Sequence, residues 1–394
     1  MKALIIGCGI GGPATAMALR RAGIDAEIFE AYTVTADNRG SFLNIASNGL
    51  DALGVLDAHR DVLAAGIPTP HMEMWSGTGK RLGRVANGLR LADGTVSHTV
   101  QRSDLYRIVR DQAAARGVPV RYGKRLIDID QSDPRKVVAR FDDGTEAVGD
   151  LLIGADGIRS RTRAILDSAA PGPRYAGLVS FGGIVKDPAF TGEPGVYNMI
   201  FGRRAFFGYT VAASGETWWF ANLPMAEEPT RDELDRTDWK PILIDAFSGD
   251  ANFSADVIRA SADVGAAFAI SDLPPVPVWH RGRVVLTGDA AHATSPSSGQ
   301  GASLAVEDGL ILAKCLRDLG GHSAAFAAFE KQRRARAERV VAYSRTISNS
   351  KAAGPVARVF RDLMMPVFLR RSAGAEGLAW MYRHHIDWDQ PVAA

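Results

Sequence analysis

Ala3-Leu4-Ile5-Ile6-Gly7-Cys8-Gly9-Ile10-Gly11-Gly12-Pro13 opens the chain with four apolar residues, a glycine cluster and a proline, and an alanine-rich stretch then runs to Gly23. Four apolar residues bounded by glycine read as a parallel strand buried on both faces. Pro13 to Ala22 reads as a helix closed by Gly23, because proline suits the first turn and glycine the residue past the last. Ala26-Glu27-Ile28-Phe29 reads as the next strand, which completes a βαβ unit with the dinucleotide fingerprint. In that unit Gly7 allows the tight turn, Gly9 lets the backbone approach a pyrophosphate, and Gly12 permits close packing of helix on strand. The free N–H groups and positive dipole end of the helix complete an anion cradle formed by Gly9, Ile10, Gly11 and Gly12. Glu30 follows Gly12 by 18 residues, with Ala31 beside it, where a carboxylate accepts hydrogen bonds from an adenosine ribose. An acid there favours FAD or NAD over NADP.

Composition narrows the class. The 394 residues are 46% hydrophobic, enough for a well-buried core and about two domains. Basic and acidic residues are mixed and balanced to a net charge of +2, which argues against a nucleic-acid partner. With two cysteines, Cys8 and Cys315, there is no disulfide framework and no cysteine-based metal site, so no metal and a reducing cytoplasm are expected. The first strand begins at about Lys2 and no run of eighteen apolar residues follows, so neither a signal peptide nor a transmembrane segment is expected.

Two later turns matter in combination with the first. Gly154-Ala155-Asp156-Gly157-Ile158-Arg159-Ser160 follows the apolar run Leu151-Leu152-Ile153. Gly288-Asp289-Ala290-Ala291-His292 follows Val284-Val285-Leu286 and precedes Pro296 and Gly299-Gln300-Gly301. In this order and spacing, the three motifs resemble those of the class A FAD-dependent aromatic monooxygenases, the para-hydroxybenzoate-hydroxylase-like family, near its urate-hydroxylase-like and tetracycline-inactivating members. The resemblance spans roughly residues 1 to 345. A nicotinamide dehydrogenase would need neither the second nor the third motif.

The resemblance implies an α/β fold: a Rossmann-like, GR2-type FAD-binding domain from 1–72, 100–174 and 276–345, an antiparallel-sheet substrate domain from 73–99 and 175–275, and a C-terminal helical segment, 346–394. It implies that Asp156 lies at the FAD and nucleotide segment and that Asp289 binds the ribityl and pyrophosphate region. Gly299, Gln300, Gly301, Ala302 and Ser303 would then present backbone N–H groups to the pyrimidine side of the flavin. Pro296 would border the site of oxygen reaction, and Arg39, Asn44, Arg102 and the backbone at Leu126 would line the cofactor. Arg204 resembles an arginine near the active site of urate-type relatives. Ser297, however, stands where their aspartate follows the loop proline, which puts urate in doubt. His292 is expected to be structural.

Between the second and third motifs the texture becomes alternating and aromatic, as in Val196–Phe201, Ala205–Val211 and Thr217–Asn222, which reads as a sheet walling a substrate cavity. Met199, Phe207, Tyr209 and Trp218 are its candidate lining residues. Ser323 to about Ser350 reads as a long helix with Phe326, Phe329 and Val340 on its apolar side. Its cations Lys331, Arg333, Arg334, Arg336 and Arg339 read as a solvated face. A second helix is expected from Val356 to Leu369, kinked or ended at Pro366.

The activity implied is reduction of FAD by NADH or NADPH, reaction with O2 to a flavin C4a-hydroperoxide, and hydroxylation of an aromatic, heteroaromatic or polyketide-like small molecule. Epoxidation, Baeyer-Villiger-type insertion, an FAD-linked dehydrogenase and a ligand-sequestering flavoprotein remain open, and the chain is expected to be a monomer or homodimer. The tryptophan signature of flavin halogenases is absent.

Overall fold

The computed structural model describes residues 1–392 apart from 36–41, 188, 191, 352–353 and 373–374. Arg39 therefore lies outside the described residues.

The strand Lys2–Ile6 pairs in parallel with Asp25–Phe29 on one side and Leu151–Gly154 on the other. Leu151–Gly154 in turn pairs in parallel with Val284–Leu286, and the sheet is completed by Val120–Arg121 and the antiparallel edge His280–Arg281. The three glycine turns thus leave neighbouring strands at the same, carboxyl end of one sheet, which is where open α/β sheets bind ligands. Ala3, Leu4, Ile5, Leu151, Leu152, Ile153, Val284, Val285 and Leu286 are all fully buried. Helices cover them, Gly11–Arg21 packing against Gly301–Asp318.

The second large sheet runs in the order Phe268–Asp272, Arg174–Val185, Thr217–Pro224, Phe206–Val211, Val196–Phe201, His71–Ser76, Arg81–Ala86. It departs from the expected all-antiparallel sheet at one join, where Val196–Phe201 pairs in parallel with His71–Ser76. These strands are far apart in sequence, and so long a crossover allows parallel pairing where a hairpin would not. Side chains alternate across this sheet. Phe207, Tyr209, Trp219 and Phe181 point to the face covered by helices Trp239–Phe247 and Ser254–Ala260, where they form a second core. Burying aromatic and aliphatic side chains of this size contributes roughly 1.5–3 kcal/mol each.

Helix His322–Lys351 is as long as the apolar periodicity predicts. The last long helix, Pro355–Ser372, does not end at Pro366 but continues through it. Proline removes one intrahelical bond, and this helix packs on strand Arg81–Ala86. No helix of the described residues is long and apolar enough to cross a membrane.

Candidate active site

The first glycine turn is shaped by contacts that leave no room on one side and open space on the other. A Cβ on Gly12 would lie 2.0 Å from the Gly7 carbonyl oxygen, whereas one on Gly9 would meet no protein atom within 4 Å. Gly9 therefore presents bare backbone to open space. Helix Gly11–Arg21 has no side-chain cap at Ile10, so its first N–H groups face the same opening. Glu30 accepts hydrogen bonds from the Cys8 N–H at 2.7 Å and the Tyr32 N–H at 3.0 Å, which fixes its carboxylate across the turn. A carboxylate has about four acceptor positions, so two remain. The Glu30 carbonyl takes the Lys124 N–H, which brings the segment leading into buried Leu126 alongside Ala31.

Asp289 starts a short helix after Gly288 and is open to solvent, although protein surrounds it. Burial pushes its carboxyl above the ordinary range, while His292 and Arg102 pull it back. Arg102 is likewise accessible but enclosed. Its Nε donates to the Tyr106 hydroxyl at 2.8 Å, and Tyr106 and Asp289 favour its charge against the cost of burial. Asp289 and Arg102 thus lie close enough for their charges to favour one another. Asp156 is placed differently, its carboxylate accepting from the Ser160 hydroxyl at 2.5 Å, the Thr162 N–H at 2.9 Å and the Thr162 hydroxyl at 3.0 Å. These bonds brace its own turn. Buried Arg163 then ties that turn to the third by donating to the Ala290 carbonyl at 2.9 Å.

The loop after His292 is anchored from the long helix. Ser295 Oγ lies 2.8 Å from Ser344 Oγ and 2.9 Å from Ser348 Oγ, Ser297 Oγ lies 2.9 Å from Ser348 Oγ, and the Ser298 N–H donates to Ser344 at 3.1 Å. Pro296 is left exposed between these anchors. Gly299 adopts a φ of +64° and abuts Asn44, whose side chain would be 3.3 Å from a Cβ there. Helix Gly301–Asp318 begins after Gln300 with no side-chain cap, so the N–H groups of Gly301, Ala302 and Ser303 belong to a free helix N-terminus. The Ser303 side chain points away, buried against Gly49, so the residue can serve a ligand only through its backbone.

A buried charge network that the sequence reading assigned to solvent fixes both turns. Arg333 is fully buried, with Nε donating to Asp308 at 2.7 Å and an Nη 2.8 Å from Glu307. Arg336 grips both oxygens of Glu307 at 2.8 and 2.9 Å. This corrects the expectation of an outward cationic face: only the remaining cations of that run are free to lie outside the core. Asp308 also accepts the Gly288 N–H at 2.8 Å and lies 2.6 Å from His292 Nε2, which makes His292 structural, as expected. Asn48 donates to Glu307 at 2.7 Å and to Gln300 Oε1 at 3.0 Å. Burial alone would raise both acids. Arg333 and Arg336 hold Glu307 at about 2, and His292 and Arg333 hold Asp308 well below the carboxylate range. Because the folded values are depressed, this stabilisation is present above the unfolded value and lost as the pH falls through the folded one. Acid titration followed by circular dichroism is therefore expected to show stability declining between about pH 4.5 and 2, whereas a flat profile there would contradict the network.

The substrate-wall residues divide by strand parity. Trp218 lies toward strand Phe42–Ile45, 5.9 Å from Phe42, which also meets Tyr197 at 6.2 Å and Phe220 at 6.1 Å. Met199 shares this face, near Phe206 and Phe220. Phe207 and Tyr209 do not, since Phe207 stacks on Trp219 at 5.6 Å and Tyr209 meets Phe253 at 5.0 Å on the opposite face. Arg204 also lies apart, 59% exposed on a hairpin turn and paired with Asp245 at 2.7 Å. Alternation of side chains across a strand is the reason for Phe207 and Tyr209, whereas Arg204 is set apart by its turn between strands Val196–Phe201 and Phe206–Val211. The face that carries Trp218 also carries Phe220 and Asn222, and Phe42 and Lys351 lie against it; none of these four carries a sequence motif. Strand parity counted from Trp218 would have found Phe220 and Asn222.

A family model described as an FAD binding domain matches residues 1–344. Aurachin C monooxygenase/isomerase of Stigmatella aurantiaca is 33% identical over 350 residues, 87% of this chain and 88% of its own. The FAD-dependent urate hydroxylase of Klebsiella pneumoniae is 30% identical over 337 residues, 84% of this chain and 86% of its own. Klebsiella pneumoniae HpxO, solved with FAD and uric acid, superposes with a TM-score of 0.82 at 28% identity, covering 96% of this chain and 95% of that one. With the three turns gathered at one sheet end and relatives matched along nearly their full length, this chain belongs to the class A FAD-dependent monooxygenases, oxidoreductases that use FAD, NAD(P)H and O2.

Proposed function

We propose that this enzyme hydroxylates an aromatic, heteroaromatic or polyketide-like small molecule between the Pro296–Ser303 loop and the inner face of the large sheet. The reading rests chiefly on Asp289 and Arg102 lying close enough for their charges to interact, and on the start of helix Gly11–Arg21 and the Gly288 turn both closing on Ala305, in the first turns of the second uncapped helix. Bare backbone at Gly9 fits a pyrophosphate, and the free acceptors of Glu30 and Asp289 fit ribose and ribityl hydroxyls. Bound FAD would supply the redox chemistry, taking two electrons from NADH or NADPH and delivering them to O2. One oxygen atom enters the substrate and the other leaves as water.

The protein's part is positioning and charge. The N–H groups of Gly301, Ala302 and Ser303, with the dipole of an 18-residue helix behind them, favour negative charge at the pyrimidine edge. Serine anchors keep the Pro296 loop fixed. Trp218, Phe220 and Phe42 offer aromatic surface to a flat substrate and exclude water. The test is Asp289→Ala, expected to lose most bound flavin, together with 18O2 labelling of wild-type product. Full flavin content in Asp289→Ala would overturn the assignment of Asp289, and NAD(P)H oxidation without labelled product would overturn hydroxylation.

A further inference from the structure

Lys351 closes the long helix one turn after Ser348, on the side that anchors the Pro296 loop. From there its Nζ crosses to the inner face of the large sheet and donates to Asn222 Oδ1 at 3.0 Å. Asn222 Nδ2 donates in turn to Ser180 Oγ at 3.0 Å. The surroundings are otherwise apolar, with the Nζ 4.4 Å from the centre of the Phe206 ring and 5.5 Å from that of Phe220. Lys351, Asn222 and Ser180 therefore form a polar island in an aromatic wall, beside the loop where the substrate is placed above.

Among the described residues no carboxylate pairs with this lysine. Arg361 of the last long helix packs nearby, but it is turned to Asp362 at 2.8 Å and to the carbonyls of Phe201 and Ser350. Arg174, at the start of Ser180's strand, and Arg345, of the long helix, converge on Asp272. Lys351 is half-buried, and an ammonium drawn partly out of water with no counter-ion is unfavourable, which favours the neutral amine. Burial pulls Lys351 down to about 7, so near neutrality much of it is free amine with a lone pair available.

We propose that Lys351 binds and ionises an acidic hydroxyl of the substrate, which makes the substrate a phenol or a hydroxylated nitrogen heteroaromatic. The O–H proton passes to the Nζ lone pair. This leaves an aryloxide paired with an ammonium that the two phenyl faces favour, and no electron is transferred. The ion pair supplies the counter-charge that the empty wall lacks, and the electron-rich aryloxide is the form a ring hydroxylation uses. Asn222 and Ser180 orient the amine and provide further hydrogen bonds. This proposal rests on the placement of the substrate under Proposed function.

The test uses FAD-loaded enzyme with 4-nitrophenol, whose anion absorbs visible light where the acid does not, and nitrobenzene as its neutral counterpart. Wild type is expected to bind the phenol on the order of ten-fold more tightly at pH 7, the scale of one charge-assisted hydrogen bond, and to bind it as the anion. In Lys351→Met the two ligands should bind within about two-fold of each other, with nitrobenzene affinity unchanged. Lys351→Arg, which cannot accept the proton, should keep the preference only where the phenol is already ionised in solution. No preference in wild type, or an undiminished preference in Lys351→Met, would overturn the role of Lys351. Absence of flavin from wild type would instead count against the cofactor reading.

Discussion

Arg333→Met should destabilise the protein by about 3–5 kcal/mol, the scale of breaking a buried ion pair on one side. Methionine approximates the length of the arginine stem, so little volume is lost, and the effect is the exposed imbalance of charge. Arg336 still holds both oxygens of Glu307. Asp308 is the orphan, left with His292 and the Gly288 N–H inside a fully buried site. That N–H belongs to the turn that sets Asp289, so flavin content should fall along with stability. Urea midpoints of the apoprotein measure the first effect and flavin absorbance the second. Arg333→Met combined with Asp308→Asn should recover more than half of the lost stability, because the uncompensated charge is gone. A single variant within about 1 kcal/mol of wild type would show that the network is not under tension of this kind.

This network was the least legible part of the sequence, although a signal was present. Arg333 and Arg336 continue the spacing of Phe326 and Phe329 toward Val340, so they occupy the apolar stripe, and their charge masked that position. Glu307-Asp308 was the matching clue, two acids inside a helix whose neighbours from Leu304 to Leu316 are buried without interruption. The three glycine turns were readable because their demands are local: a positive φ at Gly7, no Cβ at Gly12, and an apolar strand before each turn. The large sheet was readable as alternation, but alternation does not say which face is covered by helices and which meets strand Phe42–Ile45. That is decided by helix Trp239–Phe247, which covers Phe207 and Trp219 and leaves Trp218 and Phe220 opposite Phe42. Lys351 and Asn222 are 129 residues apart, and nothing local in either segment announces their meeting.

Gly9→Val and Gly12→Ala should fail in opposite ways, although both lie in one turn. At Gly12 the new methyl would be placed 2.0 Å from the Gly7 carbonyl oxygen, far inside contact distance, and the obstacle is backbone. Either the helix start or the Gly7 turn must move, and Gly7 is itself held by its N–H bond to the Phe29 carbonyl at 2.8 Å, in a turn so tight that a Cβ on Gly7 would lie 2.5 Å from the Ala155 carbonyl oxygen. The apoprotein should therefore lose about 1–3 kcal/mol or more, as overpacked cores do. At Gly9 the backbone is not in the left-handed region and a Cβ meets no protein atom, so the apoprotein of Gly9→Val should melt within about 0.5 kcal/mol of wild type. The valine would instead occupy the path of the pyrophosphate, and FAD affinity should fall by on the order of 100-fold, equivalent to about 3 kcal/mol. Thermal melts of the two apoproteins, with FAD titrations read by quenching of flavin fluorescence, separate the cases. Wild-type FAD affinity in Gly9→Val would mean that the open space beside Gly9 is not the pyrophosphate path. A stable Gly12→Ala apoprotein would mean that the turn can relax around a side chain, and that Gly12 is required for the cofactor rather than for closing the strand onto its helix.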